Sequence, residues 1–353
     1  MTRRHPEDIE PLPDQGLFGP DSVTQKVWGF AGTPIIGIQR ATVIEELDPH
    51  LIAAVDGTGA NYDRLPTRYE RTVRYFATVA FGDAETAVRL ADVLVKIHST
   101  AVGVDPVTQR VYDANDPDSQ LWILVTGWHS VLATYETYGP GPLSDDEVRQ
   151  FWSECAVAAE LQTCDPADVP RSREEVREYF AAMRPRLAAS EAAQHMMDHL
   201  LDGVRVITPH PVVARPAVYG LNALVRAGTI ATMPRWMRDL SGFRQSRLID
   251  AAVRPPLRLG FAVISRSLRL RMAVLRLIAP STVPVMAPHW YGLPPIEDVV
   301  RDPAEVRRGL GLERPAQAHL ALRERQRRRR LLEQGPASDE GFRESEAVLG
   351  ALA

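Results

Sequence analysis

The sequence predicts an all-α protein built as a single multi-helix domain, and three observations carry that expectation. Apolar residues recur mostly at helical spacing, stretches of strand-like alternation are few and short, and helix starts carry clear capping signals. Aspartate precedes proline at Asp48, Asp105, Asp116, Asp165 and Asp302. There the carboxylate can accept from orphan amides, and proline suits the first turn. Ser144 with Glu147, and Ser172 with Glu175, have the spacing of a capping box.

Taken in order, helices are expected at about 35–55, 67–80, 84–102, 118–137, 145–163, 173–187, 190–201, 212–227, 232–240 and 244–278. The fourth starts after Asp116-Pro117 and ends at the turn Tyr138-Gly139-Pro140-Gly141-Pro142; the fifth and sixth start at their serine caps. Pro255-Pro256 divides the last. The expected organisation is an N-terminal arm over 1–18, a helical domain over 19–300 and a polar, partly disordered C-terminal arm over 301–353. The proline-rich stretch 280–295 marks that boundary, and the end beyond Arg327 to Arg330 is expected to fray.

The net charge of −4 hides a division. Residues 1–200 hold 17 basic and 31 acidic residues, whereas 201–330 hold 23 and 9. Such a chain has a basic half that should face something anionic: its own acidic half, a lipid surface or a cofactor's carboxylates. A dedicated nucleic-acid partner is not expected. The two cysteines, Cys155 and Cys164, read as one helix, nine residues and about 13.5 Å apart. That is too far for a disulfide, so both are expected reduced and buried. The N-terminus has no apolar signal core, and the uncharged run Leu277 to Ile296 is interrupted by five prolines. A cytoplasmic protein without a membrane-spanning helix is therefore expected, with membrane association left open.

No phosphate loop, dinucleotide fingerprint, zinc-protease string, paired CxxC or nucleophile elbow occurs. What remains is polar residues on apolar helices. Ala87, Ala91, Leu94, His98 and Ala101 share one helical face, which turns His98 inward. Such a histidine is either a hydrogen-bonded core residue or a metal or haem ligand. Arg68, Arg71 and Arg74 recur at three-residue intervals, followed by Tyr75 and Thr78. The stripe is either a solvated face or a source of one inward arginine, Arg71 or Arg74, for an anionic group. Trp122, Trp128 and His129 lie on the next long helix. His195 and His199 have zinc-binding spacing but no third ligand nearby. Residues 244–276 carry eight arginines and one acid, Asp250, among Leu, Ile, Val and Phe. That pattern suits either an interfacial helix on an anionic membrane or a packed helix with arginines reaching outward.

Several strings resemble the MpaB / rubber oxygenase (latex clearing protein) catalytic-domain family, in particular its actinobacterial branch. They are GPDSVTQKVWGF (19–30), LDPHLIAAV (47–55), PTRYERTVRYFATVAFGDAETA (66–87), the long stretch from Val93 to Trp122, that from Cys155 to Ala188, and MPRWMRDLSGF (233–243). The resemblance implies an all-α fold with a b-type haem among the helices and oxidative cleavage of carbon–carbon double bonds in isoprenoid chains. It implies His98, in KIHSTAVG, as the proximal iron ligand, and Arg71, Arg74 and Thr78 on the haem's other face. Two family histidines are here Asp48 and Leu124, and no lysine lies between Lys26 and Lys96 to cap the iron.

The expectation is thus a haem-dependent oxygenase taking dioxygen and an apolar substrate, with residues 244–276 as the candidate membrane contact. Candidate catalytic residues are Arg71, Arg74, Thr78 and His129. Candidate cofactor contacts are His98, Arg71 and Arg74, with His98 the metal ligand. A non-catalytic haem-binding or membrane-surface protein, and a haem-free enzyme using Arg71, Tyr75 and His129 for acid–base work, stay open beside it.

Overall fold

Most helices begin where the sequence supplies an acceptor for their first amides. The computed structural model describes residues 9–57, 65–105, 108–207 and 211–335. Helix α1 (Val23–Trp28), capped by the Ser22 hydroxyl, leads through a π-helical turn (Thr33–Gly37) into α2 (Ile38–Glu45) and α3 (Pro49–Gly57). The helix expected over 35–55 is therefore three pieces. The break falls where Pro49 has no amide to donate and the Asp48 carboxylate takes the His50 amide at 3.0 Å.

Helices α4 (Leu65–Phe81) and α5 (Ala84–His98) follow, the second capped by Asp83. A two-stranded antiparallel hairpin, β1 (Val102–Val104) and β2 (Val111–Asp113), then pairs Val102 with Asp113. Gly103 faces the Tyr112 ring so closely that a Cβ there would come within 2.4 Å of the phenol oxygen, which explains the glycine.

Helix α6 (Pro117–Tyr138), capped by Asp116, is the central rod of the molecule. Its Trp122, Val125 and Val131 are fully buried and Trp128 is 1% exposed. Trp128 packs against Trp28, Phe18 and Phe151, an aromatic cluster that joins α1 and α6 to α7 (Asp145–Ala159). Ser144 and Glu147 close a full capping box on α7. At α8 (Arg173–Met183), Ser172 caps but Glu175 turns to the Arg171 amide, so that box is half made. Helix α7 ends at Ala159, so Cys155 and Cys164 do not share a helix; both are free and buried, as expected.

Helix α9 (Glu191–Leu201) ends the acidic half, and the basic half begins with α10 (Gly203–Ile207), α11 (Arg215–Thr232), α12 (Arg235–Ser241), α13 (Arg247–Arg266), α14 (Leu268–Ile278) and α15 (Val283–Tyr291). Pro255-Pro256 does not divide α13, which runs through both prolines. The carbonyls they leave unbonded belong to Ala251 and Ala252, both exposed, so water can serve them. The break comes at Ser267, whose extended backbone ends α13 and whose hydroxyl caps α14. Prolines likewise fail to break α15: Pro284 sits in its first turn, and Pro288 lies inside it. Gly228 lets Leu257 of α13 lie directly against α11, and Phe261 packs on Phe30 and Tyr138.

Residues 303–331 return to the body as α16 (Pro303–Gly309) and α17 (Leu320–Leu331). The buried Arg307 guanidinium donates to the Glu160 carbonyl, and His319 Nε2 lies 2.7 Å from Asp92 on α5. The end of the expected C-terminal arm, 336–353, lies outside the described residues. Among the described residues no helix is long and apolar enough to cross a membrane.

One buried ion pair anchors the basic half. Arg238 meets both oxygens of Asp250 at 2.9 and 3.1 Å and also donates to the carbonyls of Ala231 and Met233. Asp250→Ala leaves that guanidinium buried and uncompensated, and should cost about 3–5 kcal/mol of stability. Chemical denaturation measures it, and a loss no larger than that of an exposed pair would show that the pair does not anchor the fold.

Candidate functional site

Helix α4 presents two unlike faces. At about 100° per residue, Val73, Phe76, Ala77 and Phe81 fall on one side, and Arg68, Arg71, Tyr75 and Thr78 on the other. The first side lines an apolar groove with residues of α1, α14 and α15. The second carries the charged and polar neighbours of α2 and α5. The three-residue arginine spacing therefore does not make one stripe: Arg74 drifts toward the edge between the faces and is influenced by Glu70.

His98 is the last residue of α5 and is partly buried. Its Nδ1 lies 3.3 Å from the Gln120 side-chain nitrogen at the start of α6, and that amide also donates to the Ala114 carbonyl at 2.6 Å. Asn115 fixes the same corner from behind by donating to the Val95 carbonyl at 3.0 Å. Burial, and then the Arg68 charge, push His98 down to about 4, so the ring is neutral at physiological pH. A neutral ring is what ligation needs.

Arg68 also bears on Glu45 and Glu46 at the end of α2. Burial pushes Glu45 up to about 8 and Glu46 up to about 7. Arg68, itself drawn down by burial, opposes this, but desolvation is the larger effect on both carboxyls. The site thus gathers two carboxyls poised near neutrality, one cation and one neutral imidazole. Glu45, Glu46 and Gln120 were not singled out from sequence. The one signal was the Glu45-Glu46 pair inside the apolar run ATVIEELDPHLIAAV.

The remaining candidates separate. His129 lies nine residues beyond Gln120 on α6, half a turn round and about 13.5 Å along the axis. There its Nδ1 faces Arg40 at 3.3 Å and its ring packs on Phe180. Burial and the charges of Arg40 and Arg173 hold it well below its ordinary value. The structure therefore brings His98 together with Arg68, Glu45, Glu46 and Gln120, and sets His129 on another side of α6. Tyr75 bonds Gln162, and burial pushes its phenol up, so it is not placed for acid–base work with His129. Asp48 is buried and accepts from His50, and Leu124 is 1% exposed in the core. His195 is exposed and His199 partly buried; among the described residues no three His, Cys, Asp or Glu side chains converge on a metal.

A match to the family described as ER-bound oxygenase mpaB/B'/Rubber oxygenase, catalytic domain, spans residues 25–266. The chain belongs to this family. The matched segment contains α2, α4, α5 and α6, and with them every residue of the His98 cluster. The family is one of oxygenase catalytic domains, so the expectation of an oxygenase holds at that level. Comparison with curated proteins and with solved structures found no match.

The donor set of this mpaB/rubber-oxygenase domain fits a group that brings its own acceptors and a metal. Arg74 Nε, Thr78 Oγ1 and Glu46 Oε2 are buried with no hydrogen-bond partner among the described residues. Such orphans are costly unless something satisfies them. One adjustment is required at His98. With Nδ1 accepting from Gln120, Nε2 carries the hydrogen; ligation through Nε2 needs that hydrogen on Nδ1, and a Gln120 amide turned to accept it gives up its bond to the Ala114 carbonyl.

The glutamates give this cluster a pH signature. Each holds a proton in the folded chain where the unfolded chain, near 4.5, has lost it. Their stabilisation is full below about 4.5 and is lost as pH rises through 7 to 8. His98, displaced downward from 6.5, has the opposite slope but exerts it only below 6.5. In cofactor-free protein the melting temperature should therefore fall between pH 6.5 and 8, and Glu46→Gln should flatten the fall. Thermal unfolding across that range checks it; an unchanged slope in the variant would assign the carboxyl a normal titration.

Proposed function

We propose that the protein is a haem-dependent oxygenase that cleaves carbon–carbon double bonds of an apolar, isoprenoid- or lipid-like substrate. The observation that carries this reading is the partly buried His98, held by Gln120 inside the family-matched segment and sharing the influence of Arg68 with the buried carboxyls Glu45 and Glu46. His98 would hold the iron of haem b, and Arg71 and Arg74 would hold its propionates. When bound, haem supplies the chemistry that activates dioxygen.

The chain's own groups then have separable work. Gln120 orients the His98 ring through Nδ1. Glu46 Oε2, without a protein partner and with a pKa of about 7, can take or give a proton at neutral pH. Arg68 sets how readily it does so. Thr78 Oγ1 offers a buried hydroxyl to an oxygen of the substrate or cofactor. Ala91 and Leu94, on the His98 face of α5, keep that side apolar.

The same reading includes peripheral contact of the basic half with an anionic membrane. On α13 and α14, Arg247, Arg254, Arg258, Arg266, Arg269 and Arg276 are exposed, and none has an ion-pair partner among the described residues. Leu248, Leu259, Val263, Leu270 and Leu277 stand exposed on the same two helices. Arginine beside exposed leucine suits a lipid headgroup boundary.

Purified protein should show a Soret band that His98→Ala abolishes while far-UV circular dichroism stays unchanged. Protein that remains colourless after expression with haem precursor would sink the cofactor assignment. For the membrane, flotation with phosphatidylserine vesicles should weaken at high salt, and Arg266→Glu, Arg269→Glu and Arg276→Glu combined should reduce binding at least about tenfold, each arginine being worth about 1 kcal/mol. Binding unaffected by that reversal would remove the surface from consideration.

A further inference from the structure

The apolar groove on the other face of α4 has a chemistry of its own. Its walls include Trp28, Phe76, Phe81, Leu275, Met286 and Trp290. Arg271 also lines it. No carboxylate lies within ion-pair reach of Arg271 among the described residues; its guanidinium stands 5.8 Å from the Trp290 ring centroid, and its Nε is buried with no hydrogen-bond partner. Two more lining residues carry orphan polar atoms, Trp28 Nε1 and Thr282 Oγ1, in side chains 7% and 1% exposed. Glu70, the acid on this side of α4, is taken by the Ser281 amide at 2.8 Å.

All three orphans can donate, and one of them carries a charge. An apolar wall with a single uncompensated cation is costly to keep empty, because the charge is partly desolvated with no counter-ion. The complement is a molecule with a long apolar body and one terminal oxyanion. We propose that this groove is a binding site for an anionic amphiphile, an apolar chain ending in a carboxylate or a phosphate, whose headgroup Arg271 holds. The site is separate from the His98 cluster, since Arg68, Tyr75 and Thr78 occupy the opposite side of α4.

The test is titration of full-length protein with oleate, oleyl alcohol, geranylgeranyl phosphate and geranylgeraniol, each below its micelle-forming concentration and without vesicles. Tryptophan emission, to which Trp28 and Trp290 contribute, reports binding, and native mass spectrometry counts bound molecules. The expected result is saturable binding of one anion per chain, with the matching alcohol at least about tenfold weaker, as loss of a charge-assisted hydrogen bond implies. Tighter binding of the carboxylate or of the phosphate identifies an acyl or a prenyl ligand. Arg271→Leu should bring the anion down to the affinity of the alcohol, Arg271→Lys should keep most of the preference, and His98→Ala should bind as the parent does. An alcohol that binds as well as its anion overturns the proposal on the unmodified protein alone. So does an absence of saturable binding, an Arg271→Leu variant that keeps the preference, or loss of binding in His98→Ala.

Discussion

Arg40 is the residue on which the arrangement depends. It is 0% exposed, and no carboxylate pairs it among the described residues, so its hydrogen bonds must carry the whole cost of its desolvation. It meets Ser130 at 2.6 Å and His129 at 3.3 Å on α6, and the Thr232 carbonyl at 3.3 Å at the end of α11. Even so, burial draws its pKa down to about 9. Gln39, its neighbour, donates to the Leu200 carbonyl and accepts from Thr229. Two adjacent residues of α2 thus fix the register of three other helices. One and a half turns later the same helix delivers Glu45 and Glu46 to Arg68.

His129 has a clear place in this scheme. A protonated ring could not accept from Arg40, and two cations would then face each other without solvent. The histidine is kept neutral by burial and by the arginine, and offers that arginine an acceptor in return. That pairing lies on the far side of α6 from Gln120.

Local chemistry was legible in the sequence; distant partnership was not. Caps at Asp116, Ser144, Ser172 and Asp302 sit where the side chains announce them, because an N-cap is decided within four residues. The division of the last long helix was misplaced, because proline removes an amide wherever it stands but breaks a helix only if water cannot reach the freed carbonyl. Cys164 looked like a continuation of α7 since nothing near it in sequence signals the end at Ala159. Within the site, the apolar face of α5 could be read from spacing, with Ala87 and Ala91 buried as that face requires. Glu45, Gln120 and Arg40 carried no comparable signal: what makes each unusual is a partner 22 to 192 residues away or a loss of water, and neither is written locally.

The charge division of the chain also resolves into specific structure. Part of the basic half turns back on the acidic one, in Arg226 with Asp198, Arg301 with Asp14 and Arg307 with Glu160. The arginines of α13 and α14 do not. Twenty residues of α13 alone extend about 30 Å, against a screening length of about 8 Å at physiological salt. Near neighbours such as Arg254 and Arg258, about 6 Å apart along the axis, still feel each other, whereas the two ends of the helix do not. Charge on this face therefore acts over short range only, through local groups of arginines and not through a field that spans the helix.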